Sequence, residues 1–183
     1  MDLKIHPREQ DLIIGTFGRA AYILDDIRPL RELAGSKKNL MKKDLHFFDP
    51  PTAVLSINRQ ASGTRFEANA IYSGENRRNG AMLSFMFNPI SNKSKKEGDK
   101  KSPNKTENKV KMEVLDSDLK IIRTVDHKVE PGFNRIYWDL RRKGVRSPNS
   151  PKPTKPDARE PRGPSVLPGE YTVRLTYQKN TQE

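Results

Sequence analysis

Apolar residues along this chain recur either at every second position or in runs too short for helices. Leu12-Ile13-Ile14 lies between Asp11 and Gly15, and Ala20, Ala21, Tyr22, Ile23 and Leu24 lie between Gly18-Arg19 and Asp25-Asp26. Short apolar runs with breakers on both sides predict strands at 12–16 and 20–24, joined by Phe17-Gly18-Arg19. The period then changes: in Asp26-Ile27-Arg28-Pro29-Leu30-Arg31-Glu32-Leu33 two leucines stand three apart and Asp26 is placed to cap. One or two helical turns follow from this, ended by Gly35. After a polar connector containing Lys37, Lys38, Lys42 and Lys43, residues 45–48 and 53–57 suit short strands. Asp49-Pro50-Pro51 separates them, because proline cannot donate to a continuous ladder.

The second half alternates more strictly. Val110, Met112 and Val114 interleave with Lys109, Lys111 and Glu113, and Tyr171, Val173, Leu175 and Tyr177 interleave with Thr172, Arg174 and Thr176. This is the period of a strand with one face in a core and one in water. Residues 134–140 set Ile136, Trp138 and Leu140 on one face against Phe133, Arg135 and Tyr137 on the other, and 80–87 and 120–125 complete five strands. Asp116-Ser117-Asp118 turns one strand into the next, and Pro168-Gly169 launches the last. Several short strands with turn chemistry between them and no long helix predict an all-β fold, an antiparallel sandwich. Trp138, the one tryptophan of the chain, is its expected core anchor.

The strands at 12–16 and 20–24 do not fit that sandwich. A lone hairpin is marginal in water and needs at least a third strand and a covered face. Residues 1–26 therefore read as the end of a larger sheet, and the chain as a carboxy-terminal piece. Exposure and easy digestion of Ile13, Ile14, Tyr22, Ile23 and Leu24 follow from that reading. Residues 1–12 lack the charged-then-apolar layout of a secretory signal, which decides nothing for such a piece.

Composition changes this picture in two places. Hydrophobic residues are 33% and charged residues 32% of 183, with 14 prolines, a balance that leaves a modest core and long polar loops. The net charge of +12 comes mostly from two stretches: 92–109 carries seven lysines against three acidic residues, and 141–162 carries eight basic residues against two. Neither contains an aromatic residue. Single-stranded nucleic-acid binders interleave basic residues with stacking platforms, and duplex readers set them on one face of an ordered element. Solvated, disordered basic loops at 92–109 and 141–165 are the favoured reading, with weak polyanion binding through the lysines as the alternative; nucleic acid is not the expected partner. Asn92-Lys93-Ser94 and Asn104-Lys105-Thr106 match the glycosylation acceptor pattern, a weak signal at this length. The absence of cysteine removes disulfides and thiolate metal sites, and no apolar run reaches the ~20 residues of a membrane span.

Candidate chemistry is sparse. Asp25 and Asp26 form the one adjacent carboxylate pair near a strand end, but a glycosidase needs two carboxyl groups facing one sugar and neighbouring strand residues point to opposite faces. A turn and helix cap is the better reading. Asp116 and Asp118 lack the further oxygens that calcium requires, so they read as turn formers. His6, His46 and His127 have no ligand spacing. Arg19 after Gly18 suits a structural bridge better than a ligand contact. No nucleophile has a base placed beside it by motif, and no glycine-rich phosphate loop exists, so neither catalytic residues, metal nor cofactor are expected.

One segment, HPREQDLIIGTFGRAAYILDDIRPLREL, resembles the last propeller segment of large bacterial proteins labelled sortilin-like or glycosyl-hydrolase-like, with Asp-box-type repeats. VLDSDLKIIRTV, GFNRIYWDLR and LPGEYTVRLTY are similar to the appended carboxy-terminal domain of those proteins and to the immunoglobulin-like domain of the flagellar hook-capping protein. The residues carrying the likeness are Gly15, Gly18, Arg19, Asp25, Asp26, Asn134, Trp138, Asp139, Pro168, Gly169 and Tyr171, mostly structural in kind. Phe17 stands where that family has histidine, Leu119 where it has glycine, and Arg77 and Arg78 where it has two prolines before Gly-Ala. Leucine tolerates positive φ poorly, so the turn at Leu119 must differ or be strained.

The resemblance implies terminal strands of a truncated propeller at 1–26, a connector with a short helix and short strands at 27–80, and an immunoglobulin-like sandwich at 81–178. It implies a structural or interaction segment whose partner is the amino-terminal propeller of a parent protein, with a protein or carbohydrate ligand and an exported or cell-envelope location. A glycoside hydrolase of sialidase or sortilin type, its active carboxylates in blades outside this chain, is the second function implied.

Overall fold

A computed structural model describes residues 2–18, 20–40, 42–55, 77–89, 108–149, 160–177 and 180–182. The elements are β1 (Asp2–Ile5), β2 (Leu12–Gly15), β3 (Ala21–Leu24), α1 (Arg28–Leu40), β4 (Leu45–Phe47), β5 (Ala81–Phe87), β6 (Lys109–Leu115), β7 (Ile121–Lys128), β8 (Gly132–Trp138), β9 (Arg141–Lys143), β10 (Arg162–Ser165), β11 (Thr172–Tyr177) and β12 (Asn180–Gln182). The fold is all-β, and among the described residues the pairing is antiparallel throughout and there is a single short helix. No helix among the described residues is long and apolar enough to cross a membrane.

Two sheets share the main core. One runs β4-β5-β8 and the other β12-β11-β6-β7. Val110, Met112, Val114 and Leu175 from the second meet Leu83, Phe85, Phe87, Ile136 and Trp138 from the first. The alternation read in β6 and β11 is thus the alternation of one apolar face. β5 differs, for its sequence AMLSFMF is buried at every position. Ala81, Leu83, Phe85 and Phe87 enter the shared core, so Met82, Ser84 and Met86 point to the opposite side, where Leu33, Leu40 and Phe48 cover Met86. A strand covered on both faces reads as a continuous apolar run rather than an alternating one.

The helix runs past Gly35, which corrects the expectation of one or two turns. Gly costs about 1 kcal/mol against Ala in a helix interior. Here Leu33 and Leu40, two turns apart, pack with Phe48 and Met86 on the outer face of the β4-β5-β8 sheet, and that burial carries the helix through. Asp26 caps it, its Oδ1 accepting from the Arg28 backbone N–H at 3.3 Å.

Residues 2–24 form a separate three-stranded meander in the order β1-β2-β3, with Leu3 opposite Ile14 and Ile14 opposite Tyr22. β1 is absent from the sequence reading because four residues with two apolar positions carry too little periodic signal. No layer of described residues covers the meander: Leu3 is 59%, Tyr22 57% and Ile23 64% exposed, and β2 is only half-buried.

Two further differences concern the loops. Arg141–Lys143 and Arg162–Ser165, read as parts of one disordered basic loop, pair as the β9–β10 ribbon, and Arg141 donates to the Gly163 carbonyl across it. Arg123, 1% exposed, donates from Nη1 to the Pro161 carbonyl and so ties the ribbon to β7, beside the Glu160–Lys143 ion pair. Residues 53–55 form no strand, while residues 56 and 57, most of the lysine-rich stretch (92–107) and both glycosylation patterns' threonine and serine lie outside the described residues.

Leu119 has φ 58, the strain expected where glycine would be easier. Asp116 holds the turn: its Oδ1 accepts from the Asp118 and Lys120 amides at 3.2 and 2.9 Å. Because Leu119 is exposed, replacing it loses no packing. Left-handed backbone costs an ordinary side chain roughly 1–2 kcal/mol, and asparagine tolerates it. Leu119→Asn should therefore stabilise the protein by about 1 kcal/mol in urea unfolding. A destabilised variant would show that the strain estimate is wrong.

Candidate functional site

The outer face of the β5–β8 pair is where the rest of the molecule attaches. Its cross-strand pairs are Met82 with Tyr137, Ser84 with Arg135, and Met86 with Phe133. The last pair belongs to the patch under α1, where Phe48 lies 6.1 Å from the Phe133 ring. The middle pair does something different. Arg135 receives no carboxylate; it donates Nη1 to the Asp25 carbonyl at 2.9 Å, Nη2 to the Asp26 carbonyl at 3.1 Å and Nε to Ser84 Oγ at 3.2 Å. The Phe133 ring packs 5.5 Å from its guanidinium carbon. A planar fork with fixed donors suits two consecutive carbonyls better than the point charge of lysine would.

The other side of that clamp is the root of the meander. Asp26 has φ 44 and is 1% exposed. Its backbone N–H donates to Asp11 Oδ1 at 2.8 Å, and its own Oδ1 accepts from Arg28 Nε at 2.6 Å. The hydrogen bond to Asp26 raises Arg28 above its ordinary value, with the charges of Asp26, Glu9 and Asp11 adding to it against the effect of burial. Ile27 N–H donates to the Gln10 carbonyl and Arg31 Nη1 to Gln10 Oε1, so the β1–β2 turn and the start of α1 are laced together. The Asp25-Asp26 turn is thus held from the sandwich by Arg135 and from the meander by Asp11 and Gln10.

The first pair, Met82 with Tyr137, lies at a cleft of about 200 Å³ between the β1–β2 turn and the start of β5. Arg78 lies 5.8 Å from the Tyr137 ring centroid, and Arg77 reaches Glu9 at 3.5 Å and Asp11 at 3.8 Å. At the cleft edge Gly80 has φ 117, and a Cβ there would stand 2.2 Å from the Trp138 carbonyl oxygen, so the chain can pass only as glycine.

No family model, curated protein or solved structure matches this chain. The signature residues read from sequence fall into two groups. Gly15, Gly18, Asp25 and Asp26 belong to the meander and its root; Arg19 lies outside the described residues. Asn134, Trp138, Asp139, Pro168, Gly169 and Tyr171 belong to the sandwich. Asn134 closes the turn before β8 by donating to the Glu130 and Gly132 carbonyls. Tyr171 hydroxyl donates to the Leu167 carbonyl across Pro168-Gly169, and its ring meets Trp138 at 5.5 Å. Asp139 pairs with Arg162 at 3.1 Å. Each of these contacts holds backbone or core in place.

Asp25 and Asp26 do not converge on an open surface. Asp26 is buried with Oδ1 engaged by Arg28, leaving no face from which a sugar could approach it. Among the described residues no group of three His, Cys, Asp or Glu side chains is arranged to hold a metal ion. The residues that the sequence reading missed are Arg135, Ser84, Gln10, Arg78 and Tyr137. One signal was present, a serine in the middle of the otherwise apolar β5, which marks a polar partner on the far face.

Proposed function

We propose that this chain is a non-catalytic interaction segment: a β-sandwich of immunoglobulin-like type that presents the 2–24 meander to the sheets of a β-propeller, in the manner of the sortilin-like proteins it resembles. The observation that carries this reading is the contrast between the two ends of the meander. Its root is gripped by Arg135, Asp11 and Gln10 through well-formed hydrogen bonds, whereas Leu3, Tyr22 and Ile23 lie more than half exposed. Leu3 and Tyr22 lie in one cross-strand row and Ile23 in the next, so apolar side chains are exposed on both faces of an anchored sheet, and such exposure marks an interaction site. Among the described residues the outer strands β1 and β3 also have unpaired edges, which favour another strand or sheet as the partner. The clamp fixes the orientation in which that surface is offered.

The test is the native gene product. Hydroxyl-radical or carbene labelling in the source cells should find Tyr22 and Ile23 protected, within an assembly or polypeptide larger than the 20.9 kDa of this chain. A free monomer of that mass, labelled at Tyr22 and Ile23 as readily as the purified chain, would overturn the proposal.

A further inference from the structure

The cleft beside β5 holds a cation whose donors are not engaged. Arg78 is exposed and makes no hydrogen bond or ion pair among the described residues; its guanidinium lies against the face of Tyr137, 5.8 Å from the ring centroid. A guanidinium on an aromatic ring keeps its N–H edge free, and that edge matches a carboxylate with two parallel hydrogen bonds. Thr52 and Asn79 line the same cleft and add a hydroxyl and an amide. Met82 and Val54 supply an apolar wall.

The neighbouring charges narrow the ligand further. Arg77 is drawn toward Glu9 and Asp11, and Glu9 is also bound by Arg8 at 2.7 Å, so these acids are shared among other cations and Arg78 keeps its charge beside them. A dianion such as phosphate would meet Glu9 in the same cleft, whereas a monoanion with hydroxyl groups could donate to it. Glu9 is held below its ordinary carboxyl value by the hydrogen bond from Arg8, so it is an ionised acceptor at neutral pH. A volume of about 200 Å³ is smaller than the ~300–1,000 Å³ of sites for drug-sized molecules, which fits a single sugar acid or hydroxy acid.

We propose that this cleft binds a small hydroxylated monocarboxylate, with Arg78 as the carboxylate fork, Thr52 and Asn79 as orienting groups and Glu9 as the hydroxyl acceptor. The site is independent of the apolar surface of the meander and stands or falls separately from it. The probe is sodium glucuronate, titrated into the nitrogen-15-labelled chain at constant ionic strength, with glucose and inorganic phosphate in parallel. Glucuronate should shift the Arg78 Nε–H and the Asn79 and Gly80 amides saturably, with a Kd of about 1–10 mM, a range suited to one charged fork in an open cleft. Glucose should leave those signals unmoved, and phosphate should bind at least about tenfold more weakly. Arg78→Gln should abolish the glucuronate response with the remaining amide spectrum preserved, and Arg78→Lys should weaken it by about tenfold, because lysine keeps the charge but loses the fork. The proposal is overturned by an absent or unsaturable response, by equal responses to phosphate or glucose, or by an Arg78→Gln variant that still binds.

Discussion

Trp138→Ala is expected to lower the unfolding free energy by about 3–5 kcal/mol, the range for truncating a large aromatic in a packed core. The indole is 3% exposed and faces the small Ala81 across the β5–β8 pair, so nothing nearby can expand into the space. It also meets Tyr171 edge to face at 5.5 Å and donates Nε1 to the Arg141 carbonyl at 3.0 Å. The variant therefore loses burial, an aromatic pair and the partner of a carbonyl at the start of β9. For a protein of this size the loss corresponds to a melting point lower by roughly 6–20 °C. Calorimetry or urea unfolding followed by far-ultraviolet circular dichroism measures it, with Val145→Ala, at a 94% exposed position, as the neutral comparison. A cost below about 1 kcal/mol would mean that Trp138 is not the anchor of the core.

Arg135→Ala should cost about 2–4 kcal/mol, since it leaves two backbone carbonyls and the Ser84 hydroxyl without a charged donor in a partly buried setting. The effect has a direction in space as well as a size. The meander and the sandwich are separate sheets, and the clamp joins them at the Asp25-Asp26 turn. Hydrogen exchange should quicken at Asp26, Ile27 and the β2–β3 amides, while β5, β6 and β11 keep their protection. The emission of the sole tryptophan, in the sandwich core, should stay unchanged. Arg135→Lys should fall between the two, as an ammonium can serve one carbonyl well but not both in the same plane. Uniform loss of protection over the whole chain, or none, would show that Arg135 is not the hinge point between the sheets.

Gly35 and the stretch 141–165 show where the reading from sequence stops. Gly35 is a correct local signal for a helix end, yet α1 continues to Leu40 because Phe48 and Met86 give Leu33 and Leu40 a surface to bury. Local propensity of about 1 kcal/mol is small beside the burial of one leucine, about 1.5–3 kcal/mol. Likewise the polar, proline-rich composition of 141–165 hides the β9–β10 ribbon, whose ladder depends on backbone groups and on Arg123 reaching Pro161 from 38 residues away. Trp138, the Asp116 turn and the strained Leu119 were readable, since each depends on its own side chain and its immediate neighbours.

The chain by itself determined strands at β2 to β8 and at β11, which face of β6, β8 and β11 would be apolar, and the turns at Asp116 and Pro168-Gly169, because period and turn chemistry act over a few residues. The exposure of Tyr22, Ile23 and Leu24 was also expected, whereas only the tertiary structure decided that β5 is covered on both sides and that Arg135 meets the Asp25 carbonyl 110 positions earlier. The reason is the same in each case: pairing a donor with an acceptor, or one apolar face with another, across such distances is set by how whole sheets pack, and nothing in the local pattern of residues encodes it.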